Sequence, residues 1–198
     1  AREDLLDLGD GPRKRLCERV ALDDRRSNHA GVRVELNADE RAILASFGPW
    51  PLPMIPDPSN RASGDARAIA LGEMLFADRR LSSEKHLACM DCHHAENQFA
   101  DAIALNRGLQ PLTRHTLSLQ NIRWQTWFGW SGGSDSLWMQ SIRPILDAAE
   151  MNMDPEILAA RLLADGELRS KIEAVFDVNL IAQSPAEILV LVGKLLAA

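Results

Sequence analysis

No run of apolar residues in this 198-residue chain is long enough to cross a membrane. The longest, Ile188 to Ala198, is interrupted by Lys194. No block of lysine and arginine is present, and the net charge is −6, which argues against a nucleic-acid partner. No apolar segment follows Ala1-Arg2-Glu3-Asp4, so no signal peptide is visible. That fits a processed exported chain or a cytoplasmic one. No stretch alternates apolar and polar residues as a strand does. Cysteine is scarce: there are three, and Cys17 is remote from the other two.

Helical signals are what the sequence does carry, so the expected class is all-α. Residues 1–36 are charged and without a period, and read as a loosely ordered lead. Asn37-Ala38-Asp39-Glu40 is a capping box. It opens a short helix expected to bury Ile43, Leu44 and Phe47. The prolines from Pro49 to Pro58 then impose an extended strap. Its Trp50, Met54 and Ile55 are expected to lie across an apolar surface. Residues 37–62 thus form a helix plus strap, and 63–198 the main domain. Asp65 starts a helix with Ile69, Gly72, Leu75 and Phe76 near one face. Residues 101–134 lack either period, and so long a loop is usually functional. Ser134 or Ser136 caps a helix with Leu137, Trp138 and Ile142, bent or ended near Pro144. Asp154-Pro155 opens another, burying Leu158 and Leu162 and stopping at Gly166. Leu168, Ile172, Val175 and Phe176 form a third stripe. Ser184-Pro185-Ala186-Glu187 boxes the start of the last helix.

Cys89-Met90-Asp91-Cys92-His93 is a C-x-x-C-H run, the pattern of covalent haem attachment. Two thiols can add across the vinyl groups of a haem, and the histidine that follows can ligate its iron. Two rivals compete. A closed zinc site needs about four ligands, and Cys89, Cys92 and one of His93 or His94 supply three. A thioredoxin-like pair would follow a strand, and the flank Ser83 to Ala88 has none. His94 reads as a bystander. Haem c on Cys89, Cys92 and His93, with His93 as the metal ligand, leaves the sixth iron position open. A methionine there (Met139, Met151 or Met153) makes an electron-transfer cytochrome. A pocket with Gln140 and Glu150 makes peroxide chemistry. The residues alone leave both open. Covalent haem attachment normally takes place outside the cytoplasm, so a periplasmic chain is expected.

Around this motif, residues 37–198 resemble the bacterial dihaem cytochrome c peroxidase and MauG family. Leu71 to Phe76 and Arg80-Leu81-Ser82 are similar to its helix and turn before the first haem. Phe99-Ala100-Asp101 is similar to its F-x-D. Trp127 to Leu137 is similar to F-W-D-G-R-x-D-S-L, and Pro144 to Met151 to P-L-x-x-x-x-E-M. The pieces keep the family's order and spacing.

The resemblance implies a cytochrome c-like haem domain with long haem-wrapping loops, and peroxidase or MauG-type oxidation with ferryl chemistry at an open haem. Glu150 would be the distal acid–base group and Gln140 a distal hydrogen-bonding residue. Trp130 would relay electrons to a second haem. The plainer readings are Glu150 as a charge at a helix N-terminus and Trp130 as core. Hydrogen peroxide is the implied substrate, and a small redox protein or a protein substrate the electron donor.

Three departures stand out. The classical peroxidases of the family carry a histidine on the loop before R-N-[ST]-P that blocks the iron until reduction. Asn106 to Pro111 has none, so an open haem of the MauG kind is expected. His115 stands where the family's asparagine helps bind calcium, which puts that cofactor in question. Ser131 and Gly133 replace the aspartate and arginine of W-D-G-R, which loosens the turn after Trp130. With a single C-x-x-C-H, the chain is expected to be the N-terminal half of such a protein, or to meet its second haem on a partner chain.

Overall fold

The structure is a computed structural model that describes residues 37–47 and 53–198, in two compact units that divide at Pro53. Cys17 and Trp50 lie outside the described residues. In the first unit, helix α1 (Ala38–Ser46) starts at the expected box. Asn37 Oδ1 accepts from the amides of Asp39 and Glu40, each at 2.9 Å, and Glu40 returns a carboxylate oxygen to the Asn37 amide. The helix buries none of its residues: Ile43, Leu44 and Phe47 are all exposed, contrary to expectation. The box works on the backbone alone, so it forms whether or not the apolar face finds a cover.

The second unit contains five helices and, among its described residues, no strand longer than an isolated bridge. They are α2 (Ala66–Phe76), α3 (Leu137–Leu146), α4 (Pro155–Ala164), α5 (Gly166–Phe176) and α6 (Pro185–Leu196). The fold is all-α, as expected. Asp65, Asp154 and Ser184 cap α2, α4 and α6 with their side chains. Gly166 does not stop α4 but begins α5. Asp165 ends the one helix and caps the other, its carboxylate accepting from Leu168 N at 3.0 Å. Ser136 sits at the N-cap of α3 without capping it, and its hydroxyl is buried with no partner.

Helix α6 is the hub and packs on α2, α3 and α4. Two glycines make this possible. A Cβ on Gly72 of α2 would lie 2.2 Å from Leu195 O, and one on Gly193 of α6 would lie 2.7 Å from Trp138 O. Leu75, Ile145, Leu158, Leu162, Ile188 and Val192 are fully buried around this crossing. On α2 the buried face is Ala68, Leu71, Gly72 and Leu75, so the expected stripe is rotated, and Ile69 and Phe76 are only half-buried. Met54 and Ile55 of the strap are exposed rather than laid on an apolar surface. Residues 101–134 are irregular as read, with one 3₁₀ turn (Ile122–Trp124) and two bridges, Arg107 to Pro111 and Phe128 to Ser134.

Candidate haem site

The segment that delivers the C-x-x-C-H motif is fixed before the motif begins. From α4, Arg161 donates to the carbonyls of Arg80 (2.9 Å), Ser82 (2.7 Å) and Ser83 (2.7 Å). The Ser83 amide in turn donates to Met151 O at 2.9 Å. Cys89–Asp91 is then a 3₁₀ turn. Asp91 holds it from inside, accepting from Ala88 N at 2.8 Å and from Arg79 Nη2 at 2.7 Å. Neither Arg161 nor the Arg79–Asp91 pair was foreseen. An acid at the second variable position of the motif was the available signal.

Cys89 and Cys92 are free thiols, and both line one cavity with His93. Burial pushes the Cys89 thiol up to about 12. Burial also raises Cys92, against a hydrogen bond with Asn106. Thiols held protonated in this way are unlike the low-pKa thiolate of a redox C-x-x-C pair. Among the described residues no group of three or more His, Cys, Asp or Glu side chains is arranged to hold a metal ion, which counts against closed zinc. His94 turns its Nε2 to Asp91 O at 2.9 Å.

His93 Nδ1 lies 2.8 Å from Phe99 O. A carbonyl can only accept, so the proton is on Nδ1 and Nε2 keeps its lone pair. Burial lowers the His93 pKa and keeps the ring neutral, the form that ligates a metal. Phe76, at the end of α2, packs its ring 6.2 Å from the imidazole.

The cavity has two adjoining lobes. An apolar lobe of about 360 Å³ is walled by Phe76, Leu87, Leu117, Ile122, Leu137 and Leu196. A polar lobe of about 740 Å³ opens past Arg114, His115, Arg143 and Asp147. Cys92, His93, Trp130, Gln140 and Glu150 line both. The residues present fit haem c: two thiols lining the cavity, a neutral imidazole with the lone pair on Nε2, and an apolar lobe for a macrocycle.

Glu150 is half-buried in the turn before α4, five residues ahead of Pro155. The N-terminus of α4 is capped by Asp154, so Glu150 is not its capping charge. Burial raises the Glu150 pKa, Asp147 adds to the rise, and Arg143 opposes it. Its carboxylate has no hydrogen-bond partner among the described residues. Its backbone is held by the Asn106–Leu112 hairpin. Leu109 N donates to Glu150 O at 3.1 Å and Gln110 N to Ala149 O at 3.0 Å. Gly108 permits the approach, since a Cβ there would lie 2.4 Å from Ala149 O. Gln140 Oε1 accepts from Ser134 Oγ at 3.1 Å, which leaves its amide N–H groups free to donate. Gly129, at φ +80°, makes room, because a Cβ there would lie 2.9 Å from that oxygen.

Trp130 is not core. It is 47% exposed at the tip of the Phe128–Ser134 bridge. Its Nε1 donates to His115 O at 3.2 Å, and the Arg114 guanidinium lies 5.4 Å from its ring centre. The Arg143 guanidinium lies near this turn, 3.0 Å from where a Gly133 Cβ would be. Of the candidate sulfur ligands, Met139 is exposed and Met153 is buried in the core. Met151 is buried too, but it lines the apolar lobe.

Residues 66–190 match the profile of the family described as di-haem cytochrome c peroxidase. The chain is 39% identical over 98 residues to the methylamine utilization protein MauG of Methylorubrum extorquens, covering 48% of this chain and 28% of that one. It is 33% identical over 129 residues to the cytochrome-c peroxidase IdrP1 of Pseudomonas sp. (strain SCT), covering 64% of this chain and 32% of that one. It thus spans about a third of the length of these curated relatives. Among solved structures, a MauG-like protein associated with microbial copper homeostasis superposes with a TM-score of 0.60 at 26% identity, over 76% of this chain and 46% of that one. By its motif, its fold and these matches, the chain belongs to the di-haem cytochrome c peroxidase family.

Proposed function

We propose that the chain is the peroxide-binding haem c unit of a periplasmic oxidoreductase of the peroxidase/MauG type. Cys89 and Cys92 hold haem c through thioethers and His93 ligates its iron. Bound there, haem c supplies the iron at which the O–O bond of peroxide is broken. The part played by this chain's own side chains is proton handling and electron relay. Glu150 takes a proton from one peroxide oxygen and returns it to the other, the role that suits a carboxyl whose pKa is raised by burial. Gln140 donates an amide hydrogen bond to the bound oxygens. Trp130 passes an electron from a second haem, carried on a further domain or on a partner chain. The greater length of the relatives supports that second site. Electrons enter from a small redox protein or from side chains of a protein substrate. Thioether attachment, normally made outside the cytoplasm, supports the periplasm.

The observation that carries the reading is that the attachment residues Cys92 and His93 line the same cavity as Glu150 and Gln140. Stopped-flow mixing of the haem-loaded ferric protein with peroxide tests it. Glu150→Gln should slow the reaction by about 10²–10⁴-fold with haem content unchanged. A rate within about twofold of wild type removes Glu150 from the chemistry. The second reading, an electron-transfer cytochrome, is favoured by Met151 at the apolar lobe. A sulfur-to-iron charge-transfer band that disappears in Met151→Leu would establish it instead.

A further inference from the structure

Trp130 sits among groups that bear on its ease of oxidation. The Arg114 guanidinium lies over the indole face at 5.4 Å. The His115 ring meets the indole edge-on at 4.6 Å between centroids, and the indole N–H is held by the His115 carbonyl. None of the ion pairs among the described residues includes Arg114, so no carboxylate there neutralises it. Trp127, on the same loop, is 64% exposed, and among the described residues no cation lies over its ring.

We propose that Arg114 sets the redox poise of Trp130, by holding a fixed positive charge over the ring that must itself become positive when it gives up an electron. The inference rests on the relay reading of Trp130. In the resting indole the guanidinium is attracted to the ring face. Loss of one electron turns that attraction into repulsion between two positive charges at the same distance. The His115 carbonyl that holds the indole N–H cannot take its proton, so that bond gives the oxidised ring no route to neutrality. The hole then passes on rather than settling on an exposed side chain. Arg114 is a positioning and tuning residue in this role, not a catalytic one.

The test uses the haem-loaded full chain and a photogenerated outer-sphere oxidant, ruthenium(III) tris-bipyridine. The complex gains one electron and the indole loses one; no bond breaks in that step. Peptide fragment masses give the yield of oxidised Trp130 relative to Trp127, which serves as the internal standard. Arg114→Gln should raise that ratio and Arg114→Glu, of nearly the same size, should raise it further, by about tenfold over wild type. Equal ratios in all three proteins overturn the inference. So does a rise that is the same for Gln and Glu, which would mean Arg114 only shields the ring. The series needs no peroxide, so it judges Arg114 alone. Trp130→Phe in the peroxide reaction judges the relay: unchanged electron delivery would sink that reading without touching the Arg114 result.

Discussion

Replace Gly108 with alanine, and the added carbon lands 2.4 Å from Ala149 O and 2.6 Å from Glu150 Cα. Ordinary contact begins near 3.4 Å, so hairpin and turn must part by about 1 Å. Neither neighbour is a flexible side-chain tip; both are backbone. The separation stretches or breaks the bonds from Leu109 N (3.1 Å) and Gln110 N (3.0 Å) that hold the Ala149–Glu150 backbone. Each is worth about 1 kcal/mol net, and the overpacking adds about 1–3 kcal/mol. The loss of roughly 3–5 kcal/mol corresponds to a Tm lower by about 6–20 °C for a domain of this size. The chemical consequence is larger in proportion. A displacement of about 1 Å in a positioned group can cost about 10²-fold in rate, so the reaction with peroxide should slow by that order. Calorimetry and stopped-flow mixing read the two effects on one preparation. Gly166→Ala is the control, because a Cβ at Gly166 meets nothing within 4 Å. It should stay within about 0.5 kcal/mol of wild type. If Gly108→Ala keeps both the Tm and the peroxide rate of that control, the hairpin does not position Glu150.

Attachment through Cys89 and Cys92 should survive unfolding, whereas Cys89→Ala or Cys92→Ala should release haem in denaturant; wild-type haem that dissociates there would contradict c-type attachment. With no histidine between Asn106 and Thr113, ferric haem-loaded protein should bind cyanide or azide without prior reduction, and a spectrum unmoved at saturating ligand would point to an endogenous sixth ligand such as Met151. The peroxide rate should rise with pH as Glu150 ionises, with a midpoint above the ordinary carboxylate range because burial favours the protonated form. Removing the cation in Arg143→Gln should move that midpoint up, and removing the like charge in Asp147→Asn should move it down; a pH profile indifferent to both would assign the limb to another group. Leu158→Ala, at a position with no exposure, should cost about 2–5 kcal/mol in chemical denaturation without altering haem attachment, and a cost under about 1 kcal/mol would mean that the α4–α6 contact is dispensable.

Which of these features could be read from the sequence follows the range of the interaction behind each. Asn37, Asp154 and Ser184 were legible because a cap is a bond across two or three residues, written in adjacent letters. Cys89 to His93 was legible because attachment chemistry demands that spacing. Gln140 and Glu150 were two polar candidates beside three methionines until the resemblance gave them roles, Trp130 became a candidate only through it, and the fold then brought all three to one cavity. The misses are of another kind. Ile43, Leu44, Met54 and Ile55 have the composition of a buried face, but burial depends on a partner surface that no local pattern encodes. Gly108 looks like any turn glycine until Ala149 is folded against it. The Arg161 clamp and the Arg114–Trp130 stack join residues distant in the chain, so spacing rules cannot see them.

Gly72 and Gly193 lie away from the thiols and the acid, yet they work as a gauge for the cavity. Helix α2 ends in Phe76 against His93, and α3 carries Gln140; each is seated on α6 through one glycine. The gap between those two walls is therefore machined by close contact at the glycines, with backbone alone at Gly72 and with the Trp138 carbonyl and the Ile142 side chain at Gly193. A methyl shim at either glycine would widen it as a spacer opens a vice, with every residue around the haem site left in place. Drift in the spectrum or ligand affinity of this protein can thus originate at the helix crossing, in residues that never meet the cofactor.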